Sequence, residues 1–213
     1  LKSVLIHYLE NEAVLEPDAL CPELVAYNAP GLQGLWERAI ADTGDQNAPI
    51  PFWCLVWPGA RALARWILDH PEEFAGRRVL DAACGSGLAA IAATRVGAHA
   101  TGVDLDPNAI ELAQLTAKAN GVNCRWIASD LSDHKEPYDV ILAGDVFYNA
   151  DLAQLVADYC MQASLRGTRI LTADPQRAHV PRKGFVALAR YKVPVPKSVE
   201  GLDMRETTIL TPG

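Results

Sequence analysis

Apolar and polar positions along this chain fall into helical spacing at the front, then into short apolar runs alternating with helical segments. Val4, Leu5, Tyr8 and Leu9 predict a helix running from a Ser3 cap to about Leu15, and a second is expected from Leu32 to Ala41. Pro17, Pro22 and Pro30 punctuate the stretch between them. The segment 48–59 (APIPFWCLVWPG) cannot be a regular helix, because Pro49, Pro51 and Pro58 break it. Helical spacing returns from Gly59 to about Asp69.

A regular order follows. Strands are expected over 78–81, 98–103, 124–128, 138–143 and 168–173, with helices over 87–96, 107–120 and 151–165. Pro107 suits a first helical turn, and Gly121 suits a helix end. The run 138–143 is apolar throughout, as in a strand buried on both faces. Strand–helix alternation of this kind implies an α/β fold with a mostly parallel sheet. Two extended segments, 185–195 and 204–211, turn near Gly201 and should close the sheet as an antiparallel pair, seven strands in all. One domain is expected over 1–213, with a helical extension (1–47) on a core (48–213).

Composition narrows the class. The chain has 213 residues, half of them apolar, with a net charge of −7. This is globular composition, and the acidic balance argues against general nucleic-acid affinity. Residues 1–60 hold two Lys/Arg against eight Asp/Glu, whereas 177–213 hold seven against three. The five cysteines are scattered and form no Cys-x-x-Cys pair, so no metal site is expected and the thiols read as free in a reducing compartment. No apolar run is long enough for a membrane span, and no secretory leader is apparent. A cytosolic or organelle-matrix location is the expectation.

The candidate chemistry begins at Val79-Leu-Asp81-Ala-Ala-Cys-Gly85-Ser86-Gly87. A strand runs into a glycine turn that opens a helix, where the backbone can approach a ligand and free N–H groups gather. Asp104, at the end of the next strand, stands where a carboxylate accepts ribose hydroxyls. The pattern fits a dinucleotide as well as S-adenosylmethionine. Asp81 favours the latter, because its charge is awkward beside a pyrophosphate and welcome beside an ammonium and a sulfonium.

The run from Asp81 to Asp104 resembles the first motifs of class I S-adenosylmethionine-dependent methyltransferases, a seven-stranded Rossmann-like family. The resemblance implies that Asp81, Gly85, Ser86 and Gly87 lie at the cofactor, that Asp104 holds its ribose, and that Asp130 sits by the adenine. Gly144-Asp145-Val-Phe-Tyr148 ends the fourth core strand. It is similar to the Asp-x-x-Tyr element of methyltransferase family 16, which acts on protein lysines. There Asp145 and Tyr148 would be catalytic, the carboxylate orienting the amine and the ring facing it, with Gly144 at the cofactor. A lysine amine, with a pKa of about 10.4, must lose its proton before attack.

The Trp-Pro pair at Trp57 is similar to a family segment close to the cofactor. Asp174-Pro-Gln-Arg177 resembles the branch that methylates the β subunit of electron transfer flavoprotein, which implies substrate contacts for Asp174 and Arg177, or, for Arg177, a clamp on the active-site loop. Two positions depart from the family pattern: Ala82-Ala-Cys84 before the glycine pair, and Asn149 after the tyrosine. The other readings are a small-molecule N-methyltransferase using the same Asp and aromatic, a nicotinamide-dependent oxidoreductase, and a non-catalytic binding module.

Overall fold

The computed structural model describes residues 2–29, 31–180 and 184–213. The Ser3 side chain and Pro30 lie outside the described residues. Helix α1 (Lys2–Asn11) stops four residues short of the expected Leu15. There the N–H groups of Glu12 and Ala13 both turn back to the Tyr8 carbonyl.

The extension is not purely helical. Strands β1 (Val14–Pro17) and β2 (Val25–Asn28) form an antiparallel pair, and α2 (Gln33–Thr43) follows. The pair left no signal in the sequence because all four β1 residues are exposed and show no apolar alternation.

The core begins with α3 (Pro58–Asp69) and then alternates: β3 (Arg78–Ala82), α4 (Leu88–Arg95), β4 (His99–Asp104), α5 (Pro107–Ala119) and β5 (Arg125–Ala128). The second half runs through β6 (Val140–Gly144), α6 (Ala150–Ser164), β7 (Arg169–Asp174), β8 (Phe185–Pro194), α7 (Lys197–Glu200) and β9 (Met204–Pro212). The sheet order is β5-β4-β3-β6-β7-β9-β8. The first five strands are parallel; β9 runs antiparallel to β7 and to β8. This is the expected seven-stranded, mostly parallel, Rossmann-like sheet with its antiparallel tail pair.

Alternate residues of each strand face opposite layers. Val79 and Leu142 pack with Leu63, Ile67 and Ile91 on the α3/α4 side. Leu80 and Ile141 pack with Val156 and Ile170 on the α6 side. A third cluster joins Tyr8 and Leu35 of the extension to Trp53 and to Ala109 and Leu112 of α5. The Asn120 side chain also accepts from Val25 N and donates to Val25 O, tying β2 to the end of α5.

From β3 the chain moves outward to β5, then returns to lay β6 on the other side of β3. Open α/β sheets bind ligands at such a reversal, outside the carboxyl ends of the strands. Here that crevice lies between the loop after β3 and the loop after β6.

Candidate active site

The two glycines of the first loop do different things. Gly85 has φ 51° and Gly87 has φ 78°, both in the left-handed region. A Cβ on Gly85 would meet nothing within 4 Å, so its backbone is open to a ligand. A Cβ on Gly87 would lie 2.5 Å from Trp126 Cη2 and 2.8 Å from Ala113 Cβ. Gly87 therefore admits the Trp126 indole, which also lies against Gly102 of β4.

Gly87 stands at the N-cap of α4 and has no side chain to cap with. Asp81 substitutes from the neighbouring strand: its Oδ2 accepts from Ala90 N at 3.0 Å. Asp81 is 4 % exposed, and burial pushes its carboxyl up to about 8; the Ala90 bond opposes this and the charge of Asp104 adds to it. Ser86 is also buried.

Asp104 ends β4 and accepts from Gly85 N at 2.8 Å through Oδ2 and from Asp106 N at 3.0 Å through Oδ1. Burial raises its pKa against these backbone bonds. A carboxylate has about four acceptor positions, so two remain for a vicinal diol. Asp130 accepts from Ser132 N at 2.8 Å, a bond that holds its carboxyl below the usual range, and so caps a short turn after β5.

The loop after β6 is built around a close approach. A Cβ on Gly144 would sit 3.0 Å from Ala60 N, and one on Gly59 would collide with Asp145 N. The start of α3 thus lies directly on the end of β6. Asp145 has φ 62°, a strained conformation for a residue with a side chain. Its N–H donates to Ala173 O at 3.0 Å, and its Oδ2 accepts from Gly59 N at 3.3 Å in the first turn of α3. Asp145 therefore caps α3. The following helix, α6, is capped by Asn149, whose side chain accepts from Asp151 N and Leu152 N.

Arg177 forks Asp145, with Nε 2.6 Å from Oδ1 and Nη2 3.2 Å from Oδ2. Burial raises the Asp145 carboxyl and Arg177 opposes it. The Arg177 guanidinium also reaches Glu200, a residue that no motif singled out, and lies 5.7 Å from the Trp57 ring centroid. Trp57 is fixed by its Nε1 bond to Phe52 O at 2.6 Å. Phe52, also not anticipated, stands 5.7 Å from Trp57 and 5.3 Å from Tyr148 between ring centroids. Tyr148 is 46 % exposed; burial of the rest of its ring, then the charges of Asp104 and Asp145, raise its pKa. It is thus within electrostatic reach of both loops.

Asp174 is buried, and its carboxylate accepts from Gln176 N at 2.8 Å and Arg177 N at 3.0 Å. It forms the turn that presents Arg177. The structure thus joins Asp145, Tyr148, Trp57, Gly144 and Arg177 in one constellation. Asp81, Gly85, Ser86, Gly87 and Asp104 make up the facing loop, and Asp130 lies at the sheet end beyond it.

Residues 65–170 match the ribosomal protein L11 methyltransferase (PrmA) family. The electron transfer flavoprotein beta subunit lysine methyltransferase of Xenopus laevis is 36 % identical over 168 residues, 75 % of this chain and 68 % of that protein. The protein of the same name from Rattus norvegicus is 36 % identical over 198 residues, 88 % of this chain and 75 % of that protein.

The chain belongs to the electron transfer flavoprotein β-subunit lysine methyltransferase family.

The fold agrees. Magnesium protoporphyrin IX methyltransferase from Synechocystis PCC 6803, solved with bound S-adenosylmethionine, superposes with a TM-score of 0.54 at 19 % identity, covering 72 % of this chain and 78 % of that one. As a member of the lysine methyltransferase family the chain is an enzyme whose cofactor is S-adenosylmethionine. The residues present fit that group. Asp104 keeps acceptor positions for a ribose, and Gly85 leaves backbone space for the ligand. No described helix is long and apolar enough to cross a membrane.

Proposed function

We propose that this enzyme methylates a lysine ε-amine of the electron transfer flavoprotein β subunit, its residues 1–213 acting as one domain. The observation that carries the reading is the identity to relatives of that name over most of both chains. S-adenosylmethionine supplies an electrophilic methyl on a sulfonium. The chain's own residues bind, orient and exclude water.

In this reading Asp104 holds the ribose, with Gly85, Ser86 and Gly144 along the cofactor and Asp130 towards the adenine. Asp81 braces the glycine loop beneath the charged end of the methionine moiety. Tyr148, half exposed and backed by Phe52 and Trp57, faces the incoming amine and stabilises positive charge there by cation–π contact. Asp145 acts from behind the aromatic wall. Both its oxygens are engaged within the protein, so it fixes Arg177 and α3 and lends negative potential to the acceptor side. Asp174 shapes the turn, and Arg177 ties the loop after β7 to the loop after β6.

A protein substrate suits the acidic chain better than a nucleic acid does. Five free, buried cysteines suit a reducing compartment, the cytosol or, in a eukaryote, the mitochondrial matrix. The test is incubation of purified enzyme with recombinant flavoprotein β subunit and labelled S-adenosylmethionine, followed by mass spectrometry of its peptides. Label on a β-subunit lysine is the expected result. Label only on a small amine such as nicotinamide, or none on the β subunit, overturns the substrate assignment.

A further inference from the structure

We propose that Glu200 is a positioning residue for methyl transfer: it grips the far side of Arg177, so that the guanidinium stays forked on Asp145 and seated over Trp57. The proposal rests on the lysine-methylating reading above and adds a residue to it.

Glu200 ends α7, the short helix in the connection between β8 and β9. Its side chain is 3 % exposed. Oε1 accepts from Arg177 Nη2 at 2.6 Å, and Oε2 accepts from Arg177 Nη1 at 3.2 Å and from Arg205 Nε at 2.7 Å. Arg177 is therefore clamped between two carboxylates from connections on either side of β7 in the sheet, Asp145 after β6 and Glu200 before β9. Burial disfavours the Glu200 carboxylate, and the two guanidinium groups outweigh it. An exposed ion pair in the same connection, Lys197 with Asp203, is 71 % and 77 % exposed and can hold little in place.

The placement of α7 is itself fixed by packing. Val199, next to Glu200, lies against the cluster of the N-terminal extension, and Trp57 packs on that same cluster. The tail excursion thus reaches the wall of the acceptor site at Trp57 and Arg177.

Two consequences follow for catalysis. Among the described residues, the Arg177 guanidinium is left with its Asp145 bonds and the Trp57 face once Glu200 is removed, and a long side chain then has freedom to swing. The charge at the wall also changes. Asp145, Arg177, Glu200 and Arg205 together are neutral; without Glu200 the group carries one net positive charge, which repels a cationic amine.

The experiment compares wild type, Glu200→Ala and Glu200→Gln in two measurements. The first is the side-chain Nε–H resonance of Arg177 in 15N-labelled protein, assigned by its disappearance in Arg177→Lys. The second is steady-state methylation of the flavoprotein β subunit beside calorimetric binding of S-adenosylhomocysteine. Glu200→Ala is expected to abolish the slowly exchanging Arg177 signal and to lower kcat about tenfold, the scale of one charge-assisted contact, while S-adenosylhomocysteine affinity stays within about twofold. Glu200→Gln keeps an acceptor oxygen and the side-chain shape. It should fold where the alanine variant does not, and should retain part of both the signal and the turnover.

An unchanged Arg177 resonance in the folded variants overturns the proposal. So does a fall in kcat that merely tracks lost folding or lost S-adenosylhomocysteine binding, which is what a structural role alone produces. If wild type leaves the β subunit unmethylated, the substrate reading fails by itself, and the Arg177 resonance still decides whether Glu200 holds the guanidinium.

Discussion

The Arg177 guanidinium lies across both oxygens of the Asp145 carboxylate, at 2.6 and 3.2 Å, and the same carboxylate takes the Gly59 N–H of α3. Asp145 thus joins the start of α3, the end of β6 and the turn after β7. Asp145→Asn retains the shape and removes the charge. It is expected to lower turnover about a hundredfold, the loss typical of one preorganised electrostatic group, while S-adenosylhomocysteine affinity stays nearly unchanged. Steady-state kinetics beside calorimetry checks this; a fully active Asn variant would remove Asp145 from the catalytic machinery.

The two glycines of the first loop should respond differently to a methyl group. Gly85→Ala meets open space, so it costs only the left-handed backbone strain, about 1–2 kcal/mol, and its larger effect is expected on cofactor affinity. Gly87→Ala meets that strain and also the Trp126 ring, for a combined loss of about 2–5 kcal/mol. Urea unfolding of both variants gives the comparison. Equal losses would mean that Trp126 moves aside freely.

The core was legible because each of its parallel strands is a short, largely apolar run, and each helix between them repeats its apolar face. The β1–β2 pair was not, since β1 buries nothing. Within the site, Gly85 and Asp104 could be read from their spacing along a strand–turn–helix unit. The Arg177–Asp145 fork could not: 32 residues and a whole helix separate the partners, and no periodicity encodes such a contact. The turn that the local Asp-Pro-x-Arg sequence forms around the Asp174 carboxylate could be read, since an aspartate two residues ahead of a free N–H commonly closes one. Glu200 carried no signal, being one acid in a mostly basic tail.

Asp81 makes stability depend on pH. Its folded pKa, about 8, lies above the ordinary value of 3.8, so the folded state holds the proton more tightly than the unfolded chain. That contribution is complete below about pH 4 and is lost as pH rises through about 8. The ligand-free enzyme should therefore lose stability across this window relative to Asp81→Asn, which cannot ionise. Melting curves of the two proteins from pH 5 to 8 test it: the gap between them should move in favour of the Asn variant as pH rises. A gap that does not change with pH would show that Asp81 is already ionised in the folded protein.

Asp18 should be the residue through which the extension is most tightly coupled to the core. Its side chain is 0 % exposed; Oδ2 accepts from Arg61 Nε at 2.7 Å, and Oδ1 accepts from Leu20 N and Cys21 N. Arg61, on α3, also donates to Pro194 O at the end of β8 and to the Asn28 side chain on β2. One guanidinium therefore links the hairpin, α3 and the sheet tail. Removing a single partner strands the other charge in a buried setting, so Asp18→Ala is expected to cost about 3–5 kcal/mol. Replacing both, as Asp18→Ala with Arg61→Met, should cost less than the single change, because no unpaired charge remains. Chemical denaturation of the three proteins checks the order. If the double variant is the least stable, Arg61 holds the extension through its carbonyl and amide partners rather than through Asp18.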